Sequence, residues 1–320
     1  MARLVTALLL GTLLGGASAQ AQNFPSKPIT IVVPLAAGGA VDGMVRMLIE
    51  PMRASLGQPI LVENMGGAGG TIGIARVARA APDGYTISIG TWGTHVANNA
   101  IYSPPYDIVR DFEPVALLPN VPYWIVGKKD LPANNLKDLV AWLKVNKASA
   151  GTVGSGGGAT VCSRYFQKAT GTDYQLIPYR GGAPALQDLV SGQIDLMCDL
   201  AANSLPQVKS GNIKAYAVMS KTRWPGAPDV PTAEEAGVPV QVITWHGAWA
   251  PKGTPKDVVA KLNAVIVAAM ADPATAQRLA GLGMELPPPE HRSPDAFGAY
   301  VKAEADKWWP IIKAAGITAK

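Results

Sequence analysis

The residues best suited to chemistry in this chain lie in two glycine-rich turns, and that chemistry is the holding of an anion. The first turn, Pro34 to Asp42, contains Ala36, Ala37, Gly38 and Gly39; it follows the apolar run Ile29–Val33 and leads into a helical pattern from Met44 to Ile49. The second, Gly154 to Thr160, contains Ser155, Gly156 and Gly157; it follows Thr152 and Val153 and opens a helical pattern through Tyr165 and Phe166. Residues without bulky side chains let backbone N–H groups point outward at a helix N-terminus, where the macrodipole favours negative charge. Neither turn contains Lys or Arg. A phosphate usually recruits a basic side chain, whereas a carboxylate can be held by a few N–H groups. Taken singly, each turn also reads as a plain strand-to-helix connection, with Asp42 as a first-turn or capping residue. Taken together, more than a hundred residues apart, they read as two cradles on two lobes that grip one ligand.

Bond-making constellations are weak by comparison. Gly154 to Ala159 matches the dinucleotide fingerprint in its G-x-G-x-x-A form, but the following strand ends in Tyr179-Arg180-Gly181-Gly182 instead of the acid that holds ribose hydroxyls. Arg180 leaves a 2′-phosphate open, so a secreted or NADP-linked enzyme using the Gly154 turn stands as the alternative reading. Ser155 lacks the G-x-S-x-G frame, since Val153 stands where glycine belongs. The three histidines, His95, His246 and His291, fall in no metal-ligand spacing. His246 lies near an expected lobe crossing and is read as packed or surface in preference to cleft-facing. Neither a metal nor a cofactor is expected.

The elements that would position the turns follow from pattern and composition. Arg3, the apolar run Leu4–Leu14 and Ala17-Ser18-Ala19 read as an export signal over residues 1–19, cleaved after Ala19 or after Ala21. The expected location is therefore the periplasm. The net charge of +5 is mild and spread along the chain, without the Lys/Arg block that nucleic acid or a membrane surface would need. Cys162 and Cys198 make no disulfide framework and no CxxC motif; they are read as two buried thiols, with pairing open if the fold brings them together. Short β-branched runs alternate with helical patterns, which indicates α/β with parallel sheets. One βα series covers Ile29 to Thr94. A second begins at Tyr123–Val126 and continues through strands at Val153, Tyr174–Tyr179 and Asp195–Cys198. The chain is expected to return to the first lobe near Val242–Trp245, which places lobe 1 at 24–122 plus 245–320 and lobe 2 at 123–244. Pro51 is expected to kink or end the first helix, because it lacks an N–H and crowds the Met47 carbonyl.

Several motifs carry a family resemblance. Phe24–Ile29, Pro34–Asp42, Val62-Glu63-Asn64 with the glycines to Gly73, Ala81–Thr86, Asp111–Val115, Pro178–Gly182, Val230-Pro231-Thr232, Glu235-Ala236-Gly237 and Ala250–Pro255 resemble the tripartite tricarboxylate transporter solute-binding proteins, the Bug family. The likeness covers essentially the whole chain after the signal. It implies a two-lobed, type II-like Venus flytrap with a mainly parallel sheet in each lobe, which closes over a carboxylate-bearing solute and passes it to membrane permease subunits. It further implies a monomer that is not an enzyme. A sensor partner is the other role left open for such a binder. By the resemblance, the ligand meets the backbone around Ala36–Gly39, with Asp42 ordering the turn, and the second turn at Ser155–Thr160. Thr91, Thr94 and Asn203 match positions that approach the cleft.

Overall fold

The structure, a computed structural model, describes residues 24–154, 157–314 and 316–318. The expected export signal therefore lies outside the described residues, as do Ser155 and Gly156. In chain order the first elements are β1 (Ile29–Val33), α1 (Ala40–Leu56), β2 (Ile60–Asn64), α2 (Thr71–Ala78), β3 (Thr86–Thr91) and the short α3 (Asn98–Tyr102), which a π-helical turn at Gly93–Ala97 joins to β3. Next come β4 (Phe112–Lys128), α4 (Leu136–Val145), β5 (Ser149–Val153), α5 (Gly158–Thr170), β6 (Gln175–Tyr179), α6 (Gly182–Val190), β7 (Leu196–Leu200), α7 (Ala201–Lys209) and β8 (Ile213–Val218). The chain finishes with β9 (Ile243–Pro251), α8 (Lys256–Ala271), α9 (Pro273–Gly281) and α10 (Pro294–Ala314).

The strands join in the order β2-β1-β3-β9-β4-β7-β5-β6, with β8 paired to β4. Strand β1 pairs in parallel with β2 and β3, and β5 pairs in parallel with β6 and β7. The long β4 ties the two groups together. Its residues Phe112–Pro122 run antiparallel to β9, and from Tyr123 onward it runs antiparallel to β7 and β8. In each group the strands therefore point one way except a single opposed strand, β9 in the first and β4 in the second. The result is two α/β halves joined through β4 and β9. The sequence pattern for β4 began only at Tyr123, because Pro114, Pro119 and Pro122 punctuate its first part. Pro114 and Pro119 are tolerated at register shifts, which the ladder with β9 shows between Pro114 and Ala116 and between Leu118 and Val121, while Pro122 lies opposite Ile243 at the start of β9.

Apolar burial follows the expected faces. Val41, Met44, Val45, Leu48 and Met52 of α1 recur at helical spacing and are buried with Ile29 and Ile31 of β1 and Leu262 and Ile266 of α8. Helix α1 does not end at Pro51; it runs through to Leu56, and the Thr275 hydroxyl donates at 3.5 Å to the Met47 carbonyl that Pro51 leaves without a donor. Cys162 of α5 and Cys198 of β7 form a disulfide, with Cα atoms 6.1 Å apart. The two-thiol expectation is thus corrected. The parallel β5–β7 pairing lays the helix after β5 over β7, and both cysteines come together in one buried cluster with Tyr123 and Phe166.

Candidate functional site

The first turn is held by a side chain of its own helix. The Gly38 amide donates to Asp42 Oδ2 at 2.9 Å, and Arg46 Nε, one turn further on, donates to the same oxygen at 3.0 Å. Gly38 has φ +81°, a conformation that glycine adopts without strain. Burial pushes the Asp42 carboxyl up, but Arg46, the Gly38 amide and Asn64 together hold it below the usual carboxylate range. Its other oxygen, Oδ1, is buried and has no hydrogen-bond partner.

On the facing side, the N-termini of α5, α6 and α7 come to the same place. Helices α5 and α6 start at Gly158 and Gly182 with no side-chain cap and no acid in the first turn, so their N–H groups are left for something else. Asp199 is the penultimate residue of β7, just before α7; Asn203 Nδ2 donates to its Oδ2 at 2.9 Å. Burial pushes the Asp199 carboxyl up to about 6, against the hydrogen bonds from Ser204, Asn203 and the Leu200 amide.

Glycines let the two sides meet backbone to backbone. A Cβ at Gly66 would lie 2.8 Å from the Arg180 carbonyl, one at Gly181 2.7 Å from Ala36 Cβ, one at Gly154 2.8 Å from Gly69 Cα, and one at Gly93 2.9 Å from Gly158 Cα. Between these contacts remains a cavity of ≈ 40 Å³, far smaller than the several hundred Å³ of an ordinary ligand pocket. A solute must therefore part the two sides to enter. The cavity is lined by the starts of α1, α5, α6 and α7, by Gly69, Thr91, Thr94 and Tyr123, and by the carboxylates Asp42 and Asp199. Among the described residues no Lys, Arg or His lines it.

The threonine wall is internally braced. Thr91 N donates to Thr94 Oγ1 at 3.0 Å, Thr94 N donates to Thr91 Oγ1 at 3.0 Å, and Thr94 Oγ1 lies 2.9 Å from His95 Nδ1. His95 is fully buried, bonded through Nε2 to Ser88 and stacked on Trp249 at 3.9 Å. Burial pushes its imidazole down to about 3, so it is neutral at physiological pH. His246 is buried in β9, with Nδ1 against the Pro119 carbonyl. It packs within the sheet, away from the cavity.

Residues 44–317 match the family described as the tripartite tricarboxylate transporter family receptor, TctC. A protein encoded in the TAR-I ttuE–ttuC′ intergenic region of Agrobacterium vitis is 41% identical over 98% of this chain and 92% of its own length. The chain belongs to the tripartite tricarboxylate transporter family of receptors. Among solved structures, the periplasmic binding protein BugD is 43% identical, with a TM-score of 0.89 over 93% of this chain and all of that one. MatC from Rhodopseudomonas palustris, solved with bound malate, is 39% identical, with a TM-score of 0.86 over 90% of this chain and all of that one. The protein is therefore a solute-binding receptor of a family that works outside the cytoplasm.

In this receptor Ala36, Gly39, Asp42, Thr91, Thr94, Gly157 and Asn203 line one cavity, although they come from four separate stretches of sequence. Ala37 and Gly38 are exposed and stand outside the lining, and the Gly38 amide is already engaged by Asp42. Thr160 is buried one turn into α5 and faces a different hollow, beside Arg164 and Tyr165. Sequence reasoning missed Tyr123, Asp199, Gly69 and Gly182. Asp199 carries a legible signal, an acid near a strand end just ahead of a helix start, but the sequence pattern did not mark α7 itself.

Proposed function

We propose that this receptor captures a small carboxylate between its two lobes and delivers it unchanged to the membrane subunits of a tripartite tricarboxylate-type transporter. The observation that carries the reading is the convergence of helix N-termini, α5 and α6 uncapped, on one cavity without a cationic side chain. Backbone N–H groups in that arrangement suit a carboxylate better than a phosphate. The malate bound by MatC is a carboxylate of the same kind. We take lobe 1 as residues 24–122 plus 245–320 and lobe 2 as 123–244, with the hinge where β4 passes from β9 to β7 and where β9 begins. The leader at residues 1–19 exports the chain to the periplasm, where it works as a monomer.

A thermal-shift screen against mono-, di- and tricarboxylates, with mass analysis of the recovered compound, tests this. Ligand at about a hundred times its Kd adds about 2.7 kcal/mol of stability and raises Tm by several degrees. Recovery of a chemically altered compound contradicts the proposal, as does a set of carboxylates none of which shifts Tm.

A further inference from the structure

The cavity has a donor side and an acceptor side. Helices α5 and α6 open with no acidic residue in the first turn and no side-chain cap, so this side presents N–H groups. Facing them are two buried aspartates that line the same cavity, Asp42 in the first turn of α1 and Asp199 in β7, two residues before α7 begins, and each is 3% exposed. Asp42 Oδ2 is taken by Gly38 and Arg46, but Oδ1 is buried without a partner. Asp199 accepts from Asn203, from Ser204 and from the Leu200 amide, which leaves about one of its roughly four acceptor positions open. An ionised carboxylate offers only acceptor sites, so Asp42 Oδ1, and the position Asp199 has left, call for a donor from whatever fills the cavity. A plain aliphatic diacid has none at neutral pH. It would bring acceptors against acceptors, with no cationic side chain among the described lining residues to offset them.

We propose that Asp199, with the free Oδ1 of Asp42, makes this receptor select carboxylates that bear a hydrogen-bond donor, a hydroxyl or an ammonium, close to the carboxylate held by α5 and α6. The inference rests on the carboxylate reading and narrows it. A site built to accept from a substrate OH or NH rejects the analogue without it, because its buried polar atoms are then left unpaired. At neutral pH Asp199, whose carboxyl sits at about 6, is mainly ionised and able to accept.

The test is calorimetric titration at pH 7.5 of the full mature protein with matched sets: L-malate and L-aspartate against succinate, L-glutamate against glutarate, citrate against tricarballylate, and L-lactate against propionate. In at least one set a donor-bearing member binds at least about tenfold tighter than its donor-free partner, the lower end of what a hydrogen bond to a charged group contributes. The malate and aspartate arms separate hydroxyl from ammonium. In Asp199→Asn the preference falls to within about threefold. Donor-free members that bind as tightly as their partners in every set overturn the selection and leave the carboxylate reading standing. A preference unchanged in a folded Asp199→Asn overturns the role of Asp199. Absence of binding by every compound at millimolar concentration overturns the carboxylate reading and the selection together.

Discussion

Asp199→Asn in the ligand-free protein tests the electrostatics of the cavity directly. Asp199 is 3% exposed, and burial raises its carboxyl from 3.8 in the unfolded chain to about 6 in the fold. A shift of about two units corresponds to about 3 kcal/mol between the two protonation states. Because the folded pKa is the higher one, the native state binds more protons than the unfolded state between pH 3.8 and 6. The stability this group contributes is full below 3.8 and is lost as pH rises through about 6. At pH 7.5 the buried charge is therefore a cost, and a neutral isostere that still accepts from Asn203 removes it. Urea denaturation of both proteins from pH 4 to 8 measures the effect. The variant is expected to be the more stable at pH 7.5 by up to about 3 kcal/mol, and the difference shrinks toward zero at pH 4. A variant less stable than wild type by the same amount at every pH refutes the reasoning, since Asp199 would then act as a capping group and not as a desolvated charge.

Gly93→Ala introduces a Cβ 2.9 Å from Gly158 Cα across the cleft, at least about half an ångström inside carbon–carbon contact; about 1–3 kcal/mol of overpacking weakens ligand-induced closure and lowers affinity about 5- to 150-fold by calorimetry, whereas unchanged affinity places that contact outside the closed state. Cys162→Ala with Cys198→Ala opens a cross-link between residues 36 apart, so the urea midpoint should fall by the equivalent of about 4 kcal/mol; an unchanged midpoint means the bond does not form in the mature protein. Mass spectrometry of protein exported by a bacterial host should find the N-terminus at Gln20 or Gln22, and intact Met1 in the soluble fraction contradicts export by cleavage.

Much of the site was legible because it is built from local patterns. A strand, a small-residue turn and an amphipathic helix announce an open helix N-terminus from a few consecutive residues, which is how Ala36, Gly39, Asp42 and Gly157 were found. Asp199 and Tyr123 depend on long-range pairing: Tyr123 pairs with Leu200 only through the antiparallel β4–β7 ladder, and no pattern near position 123 announces a partner at 200. The disulfide was hidden for the same reason, since Cys162 and Cys198 lie on a helix and a strand that only the β5–β7 pairing brings together. Pro51 misled by its local rule, because a carbonyl freed inside a helix can be met from elsewhere, as Thr275 does for Met47. Gly38 misled in the opposite sense: its place in the turn comes from a positive φ and its amide is spent on Asp42.

Closure over a carboxylate is tested most directly by small-angle X-ray scattering of the mature protein, free and saturated with the tightest-binding acid from the carboxylate screen. The account predicts a smaller radius of gyration with ligand, lost in Gly93→Ala, because the glycine contacts across the cleft form only when the lobes shut. An unchanged scattering profile at saturation, in protein shown by calorimetry to be fully bound, would contradict it.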